Sequence, residues 1–129
     1  MTGVAMKQND LQRISSFRDL KVWQKAMTLV NKTHNATNYF PDADINPLSK
    51  QLHSSVIPIP SKIAEGFRKN SNEELSRFLN EAMGDVYAVQ TQIEIAMNLE
   101  YMKREWFNVL HEDCREIERL LGNMIFMAD

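Results

Sequence analysis

The chain has little of what small proteins use as staples or reactive centres. Among its 129 residues there is a single cysteine, Cys114. One cysteine excludes an intramolecular disulfide and any metal site built from several thiolates. Cys114 falls on an apolar helical stripe, where a small buried hydrophobe is the expected role rather than a reactive thiol. No apolar run is long enough to span a bilayer, and the N-terminus, MTGVAMKQNDLQRISS, lacks the apolar core of a signal peptide. A cytoplasmic protein with no membrane contact is expected. Glycine and proline are scarce, four of each, while Ala, Leu, Met, Glu, Gln and Lys are plentiful. That balance favours helix.

The signatures of common bundle chemistry are missing too. A di-iron bundle needs Glu-x-x-His on paired helices. Three residues before His34, His53 and His111 stand Asn31, Lys50 and Asn108. There is no Gly-rich phosphate loop, HExxH or nucleophile elbow. Ser54, Ser55 and Ser61 cluster with His53 near two prolines, which leaves a Ser/His hydrolase as a third reading. Against it, helical serines beside prolines usually serve loose backbone carbonyls. The methionines, among them Met27, Met83, Met97 and Met124, read as core filler rather than a cofactor box. No enzyme is expected, and no catalytic, cofactor-binding or metal residue.

What is present describes a helical domain. A composition of 43% hydrophobic and 25% charged residues argues against global disorder, and the length suffices for one buried core. Met1 to Ser15 carries no packing pattern and reads as a flexible N-terminal tail, ahead of a domain spanning residues 16–129. Ser16 with Asp19 resembles a variant capping box. Leu20, Trp23, Ala26, Met27, Val30, Thr33, His34 and Thr37 then form one stripe on a first helix ending near Asn38. Asn46-Pro47 opens the second helix, with Leu48, Gln51, Leu52, Ser55, Val56, Ile59 and Ile63 inward. Pro58 and Pro60 remove donors, so this helix should kink there, and Gly66 is a natural left-handed stop. Ser71 and Glu74 cap a third helix with the clearest spacing: Leu75, Phe78, Leu79, Ala82, Val86, Val89, Ile93, Ala96 and Met97. The last helix presents Trp106, Phe107, Leu110, Cys114, Ile117, Leu121, Met124 and Ile125. Short links make neighbours antiparallel, which predicts an all-α, up-down-up-down four-helix bundle.

Charge is split along the chain. Residues 1–70 hold ten Lys/Arg against five Asp/Glu, a net of +5; residues 71–129 hold five against twelve, a net of −7. The two halves sum to the overall −2. Opposite helices attracting one another, within or between subunits, is one reading. A basic face offered to RNA or to an acidic partner is the other.

The order of motifs then points to relatives. Phe17-Arg18-Asp19-Leu20-Lys21-Val22-Trp23-Gln24-Lys25-Ala26 resembles the opening of a bacterial four-helix-bundle family first described as proteins encoded in intervening sequences of 23S rRNA genes. The likeness continues through Phe40-Pro41, Gln51-Leu52, Ile59-Pro60-Ser61, Ile63-Ala64-Glu65-Gly66 and Thr91-Gln92-Ile93-Glu94-Ile95-Ala96, about residues 17–125 in all. The resemblance implies a bundle that assembles into a ring, commonly a pentamer. A related branch, the accessory variability protein of diversity-generating retroelements, is basic and works with a reverse transcriptase and RNA. This sequence departs from the pattern where the family usually has two arginines, here His53 and Ser54, and where Asp85 adds a negative charge. Fewer cations mean weaker phosphate contact, so weak or no generic nucleic-acid binding is expected.

The residues singled out for partner or subunit contacts are Trp23, Arg18, Lys21, Lys25, Lys62, Arg68 and Lys69. Trp23, between two lysines, is either a partly exposed apolar anchor or a residue buried in its own bundle. The resulting expectation is a non-enzymatic, self-associating scaffold or adaptor that engages a protein or ribonucleoprotein partner. The alternative is an RNA-binding accessory subunit acting with a reverse transcriptase.

Overall fold

The computed structural model of the chain describes residues 14–128. Its helices are α1 (Lys21–Thr37), α2 (Pro47–Val56), α3 (Pro58–Phe67), α4 (Asn72–Asn98) and α5 (Arg104–Ala128), with a 3-10 turn (Phe17–Asp19) ahead of α1. No strand occurs among the described residues. Helices α2 and α3 are the halves of one bent rod, so four rods form the bundle, with the second kinked as the prolines predict. Pairs across the seams give the directions. Lys25 meets Glu116 and Lys32 meets Asp113; Ser55 meets Gln92 and Lys62 meets Asp85. Numbers rise on one rod as they fall on the other, so these neighbours are antiparallel. Each rod packs on two others, and Leu29, Leu52, Ile59, Ile93 and Leu121 fill the centre with no solvent exposure.

Local chemistry explains the element ends. Asn46 is buried; its Oδ1 accepts from the Leu48 and Ser49 N–H groups at 2.9 and 3.2 Å, and its Nδ2 donates to the Pro41 carbonyl at 2.8 Å. One side chain therefore caps α2 and ties down the preceding loop. Ile57 keeps helical angles between α2 and α3, φ −62° and ψ −41°. The bend follows from Pro58 and Pro60, which cannot donate to the Ser54 and Val56 carbonyls. Ser71 Oγ accepts from the Glu74 N–H at 3.1 Å, as its spacing predicts.

Several expectations need correction. Ser16 caps the 3-10 turn, its Oγ accepting from the Arg18 N–H at 3.2 Å, and α1 begins only after Leu20 without a side-chain cap. Buried Leu20 anchors that entry instead. The α1 stripe is also rotated: Val22, Leu29 and Ala36 are buried, whereas Met27 and His34 lie outside. In α2, Gln51 is exposed as well. Gly66 is not a left-handed stop. It is helical and buried, and a Cβ there would come within 2.9 Å of the Phe78 Cβ, so glycine permits close approach of α3 and α4. Of the segment read as a tail, positions 1–13 lie outside the described residues, while Ile14 packs against the core.

Candidate interaction surfaces

The residues singled out for contacts fall into two groups. At the start of α1, the Phe17 and Trp23 rings meet edge-on with centroids 5.3 Å apart, and the Arg18 guanidinium lies 4.6 Å from the Phe17 centroid. Trp23, Met27 and Val30 of α1 face Ile57, Pro60 and Ala64 of the bent rod across a shallow apolar groove, with Phe17 at its end. Met27 and Ile57 are 37% and 52% exposed, so the groove is open to solvent. Lys21 and Arg68 are exposed and hold no ion pair among the described residues, whereas Lys69 lies over the Phe78 ring, 5.1 Å from its centroid.

The other two lysines are engaged inside the subunit. Lys25 pairs with Glu116, and Lys62 Nζ donates to Asp85 Oδ2 at 2.8 Å. Lys32 reaches Asp113 at 2.9 Å in the same way. The hydrogen bond from Lys25 holds the Glu116 carboxyl below the usual carboxylate range, outweighing a smaller opposing effect of burial. All three bridges join a cation of the positive half to an acid of the negative half. Thus the charge split read from sequence is resolved partly within the subunit.

Several of the groups considered for chemistry have partners within the subunit. Cys114 is fully buried, and its thiol is pushed up to about 12 by burial, with Asp113 and Glu118 adding to it. It stays protonated at neutral pH. The imidazoles of His34 and His53 stack with centroids 4.6 Å apart across the α1–α2 seam. Thr37 donates its hydroxyl hydrogen to the His34 carbonyl at 2.9 Å, so its oxygen accepts from His53 Nε2–H, also at 2.9 Å. That fixes the His53 tautomer. Of the serines grouped with His53 in the sequence, Ser61 donates to the Ile57 carbonyl and Ser55 accepts from Gln92. Among the described residues, no three His, Cys, Asp or Glu side chains converge as metal ligands.

A second surface escaped the sequence reading. The loop after α1 and the loop between α4 and α5 meet at one end of the bundle, where Phe40 and Tyr101 rings lie 5.4 Å apart. Beside them Tyr39, Met97, Tyr101 and Trp106, with Glu100 and Lys103, line a recess of about 690 Å³. Tyr39 reads in sequence as part of a helix terminator, and Trp106 as a core position. Trp106 is instead 38% exposed and Tyr39 79%. The available signal is an aromatic residue at each of three element boundaries.

No helix among the described residues is long and apolar enough to cross a membrane. No curated protein matches the chain. A solved structure from Bacteroides thetaiotaomicron, a protein of unknown function from the S23 ribosomal protein family, superposes with a TM-score of 0.75 at 24% identity. The match covers 81% of this chain and 97% of that one, and at this identity it speaks to the fold. The family model described as 23S rRNA-intervening sequence protein matches residues 18–123. With that span, and with the bundle its members' motifs predict, the chain belongs to the 23S rRNA-intervening sequence protein family.

Proposed function

We propose that the chain is a non-enzymatic, cytoplasmic scaffold that self-associates and engages a protein or ribonucleoprotein partner. The observation carrying this reading is the open groove between α1 and α3. Met27 and Ile57 present exposed apolar surface there, beside a half-buried Trp23 that also packs against the core. Contiguous exposed apolar surface marks association sites in monomer folds. The two sequence segments that carry the family resemblance, around Trp23 and around Pro60, form its two walls. Burial of the groove supplies affinity, and Arg18, Lys21 and Arg68 near it steer the approach. Because Lys25 and Lys62 are neutralised internally, they contribute less than their positions in the sequence imply.

A ring of five subunits is the assembly this reading expects. Light scattering at tens of micromolar should give a mass several times that of the subunit. Met27→Glu with Ile57→Glu, both at exposed positions, should yield a folded monomer. A wild-type monomer under those conditions would remove the scaffold reading. The alternative, an RNA-binding accessory subunit of a reverse transcriptase, draws on Arg18, Lys21 and Arg68, which hold no ion pair among the described residues. It requires tight RNA binding that falls steeply with salt, which a filter assay measures directly.

A further inference from the structure

From the loop end of the bundle we infer a binding site for a basic peptide segment, whose arginine or lysine side chain enters the recess between Tyr39, Tyr101 and Trp106. The site deepens the scaffold reading by giving the partner's chemistry, but it uses a different surface from the groove. Three observations carry it. First, the aromatic walls are unused. Tyr101 contacts Phe40 behind it, while Tyr39 and Trp106 have no ring contact and no cation over them among the described residues. Aromatic faces open to a recess attract cations, guanidinium above all.

Second, the charges on the elements that form the recess are unpaired and acids outnumber bases among them, although only Glu100 and Lys103 line the recess itself. The two loops and the first turn of α5 hold Asp42, Asp44, Glu100 and Glu105 against Lys103 and Arg104. None of the six makes an ion pair within the described residues. Glu100 and Lys103 both line the recess yet do not pair with each other. An incoming cation therefore finds the Glu100 carboxylate without an ion-pair partner, while Lys103 opposes its entry. Third, exposed apolar side chains concentrate here: Tyr39, Ile45, Leu99, Trp106 and Val109 are all among the exposed large hydrophobics. They give the aliphatic stem of a long basic side chain, and its flanking residues, a surface to cover. A polyanion would meet the opposite balance. RNA is thus the wrong partner for this end.

The test uses the full chain and a labelled Arg-Gly repeat peptide of ten residues, followed by fluorescence anisotropy at low salt. Trp106 emission is read separately in a Trp23→Phe background. Saturable binding that quenches Trp106 and weakens with added salt is expected. Trp106→Ala and Glu100→Gln should each weaken binding about tenfold, the size of one lost cation–π or charge contact. Lys103→Ala should strengthen it, a result that general loosening of the fold would not produce. Absence of binding, binding indifferent to Trp106→Ala, or tighter binding of an acidic peptide or single-stranded RNA would overturn the assignment. So would a self-association that is lost with Trp106→Ala, since a second copy would then occupy the recess. Light scattering on the same samples keeps the two readings apart. A monomer that binds the peptide ends the self-associating scaffold reading and leaves this site standing, and an oligomer that ignores the peptide ends this site alone.

Discussion

Along the middle of the bundle, Lys25, Lys32 and Lys62 each reach a carboxylate across a seam, and the paired side chains keep between 23% and 38% of their surface exposed. At the loop end Asp42, Asp44, Glu100, Glu105, Lys103 and Arg104 make no ion pair among the described residues. The difference is one of solvent. Where helices lie side by side, a charge loses part of its hydration, so sequence places an opposite charge opposite it. At a solvated end nothing within the fold demands pairing, and charge and aromatic surface remain for other molecules. The same contrast separates parts of the chain that hold the fold from parts free to do something else.

The widest gap between the two regions should appear in stability. Ile93 is fully buried in the middle of α4, so Ile93→Ala should lose about 3 kcal/mol through lost transfer energy and an unfilled cavity. Tyr39→Ala at the loop end should stay within about 0.5 kcal/mol of the parent. Urea unfolding with a shared slope measures both. A loss of several kcal/mol at Tyr39 would mean that the loop end is structural, and the contrast would collapse.

How far each region was legible follows from how many neighbours decide it. Helix α4 faces packed neighbours along one stripe, so its steps of three and four marked Leu79, Ala82, Val86, Val89, Ile93 and Ala96 correctly. The kink needed only two prolines, which act through their own missing donors. Helix α1 misled because its apolar residues serve two purposes. Leu29 and Val22 fill the core, while Trp23, Met27 and Val30 line the outer groove. A single stripe drawn through both comes out rotated. Lysine identities were plain, but their partners 23 to 91 positions away depend on the register of the rods. The recess was least legible, since its residues come from three boundaries that no period connects.

Glycine sharpens the contrast at the next scale. Gly66 and Gly84 are both helical, and alanine is favoured over glycine in a helix by about 1 kcal/mol. At Gly84 nothing lies within 4 Å of an added Cβ, so Gly84→Ala should stabilise by up to about that amount. At Gly66 the added Cβ meets the Phe78 Cβ, an atom with no freedom to swing aside. Gly66→Ala should therefore destabilise by about 1–2 kcal/mol despite the better propensity. Thermal melts of the pair should move in opposite directions, and a rise for both would show that α3 and α4 have room to separate.

Backbone strain at the loop end gives a smaller effect. Glu100 adopts φ 62° where α4 closes, with the Tyr101 N–H donating to the Ala96 carbonyl at 2.9 Å and its own N–H to that of Met97 at 3.0 Å. Glycine suits this left-handed position and glutamate does not. Relief of that strain, offset by the extra freedom of an unfolded glycine, should leave Glu100→Gly more stable by about 0.5–1 kcal/mol. The same variant removes a carboxylate from the recess. Stability should rise while affinity for the basic peptide falls, so the residue would serve binding at the expense of the fold. A variant that gains neither way would separate Glu100 from both roles.

The smallest expected effect lies at the stacked histidines, which sit between the two regions where α1 gives way to its loop. Burial, with the nearby His34 adding to it, lowers the His53 pKa below its ordinary 6.5. The sign follows from proton binding. The unfolded chain takes up a proton near 6.5, and the folded chain does so only at lower pH, so acid favours unfolding. The contribution is fully present above 6.5, declines as pH falls from there toward the lowered folded value, and levels off below it. His53 remains bonded to Thr37 when charged, because Nε2 is already the donor, so repulsion from a charged His34 is the part a mutation can remove. Denaturation curves collected between pH 7.5 and 5 should show a shallow loss of stability. His34→Ala should flatten that slope in part while leaving the share due to burial. A slope unchanged by His34→Ala would assign the whole effect to desolvation, and a rise in stability on acidification would contradict the lowered pKa itself.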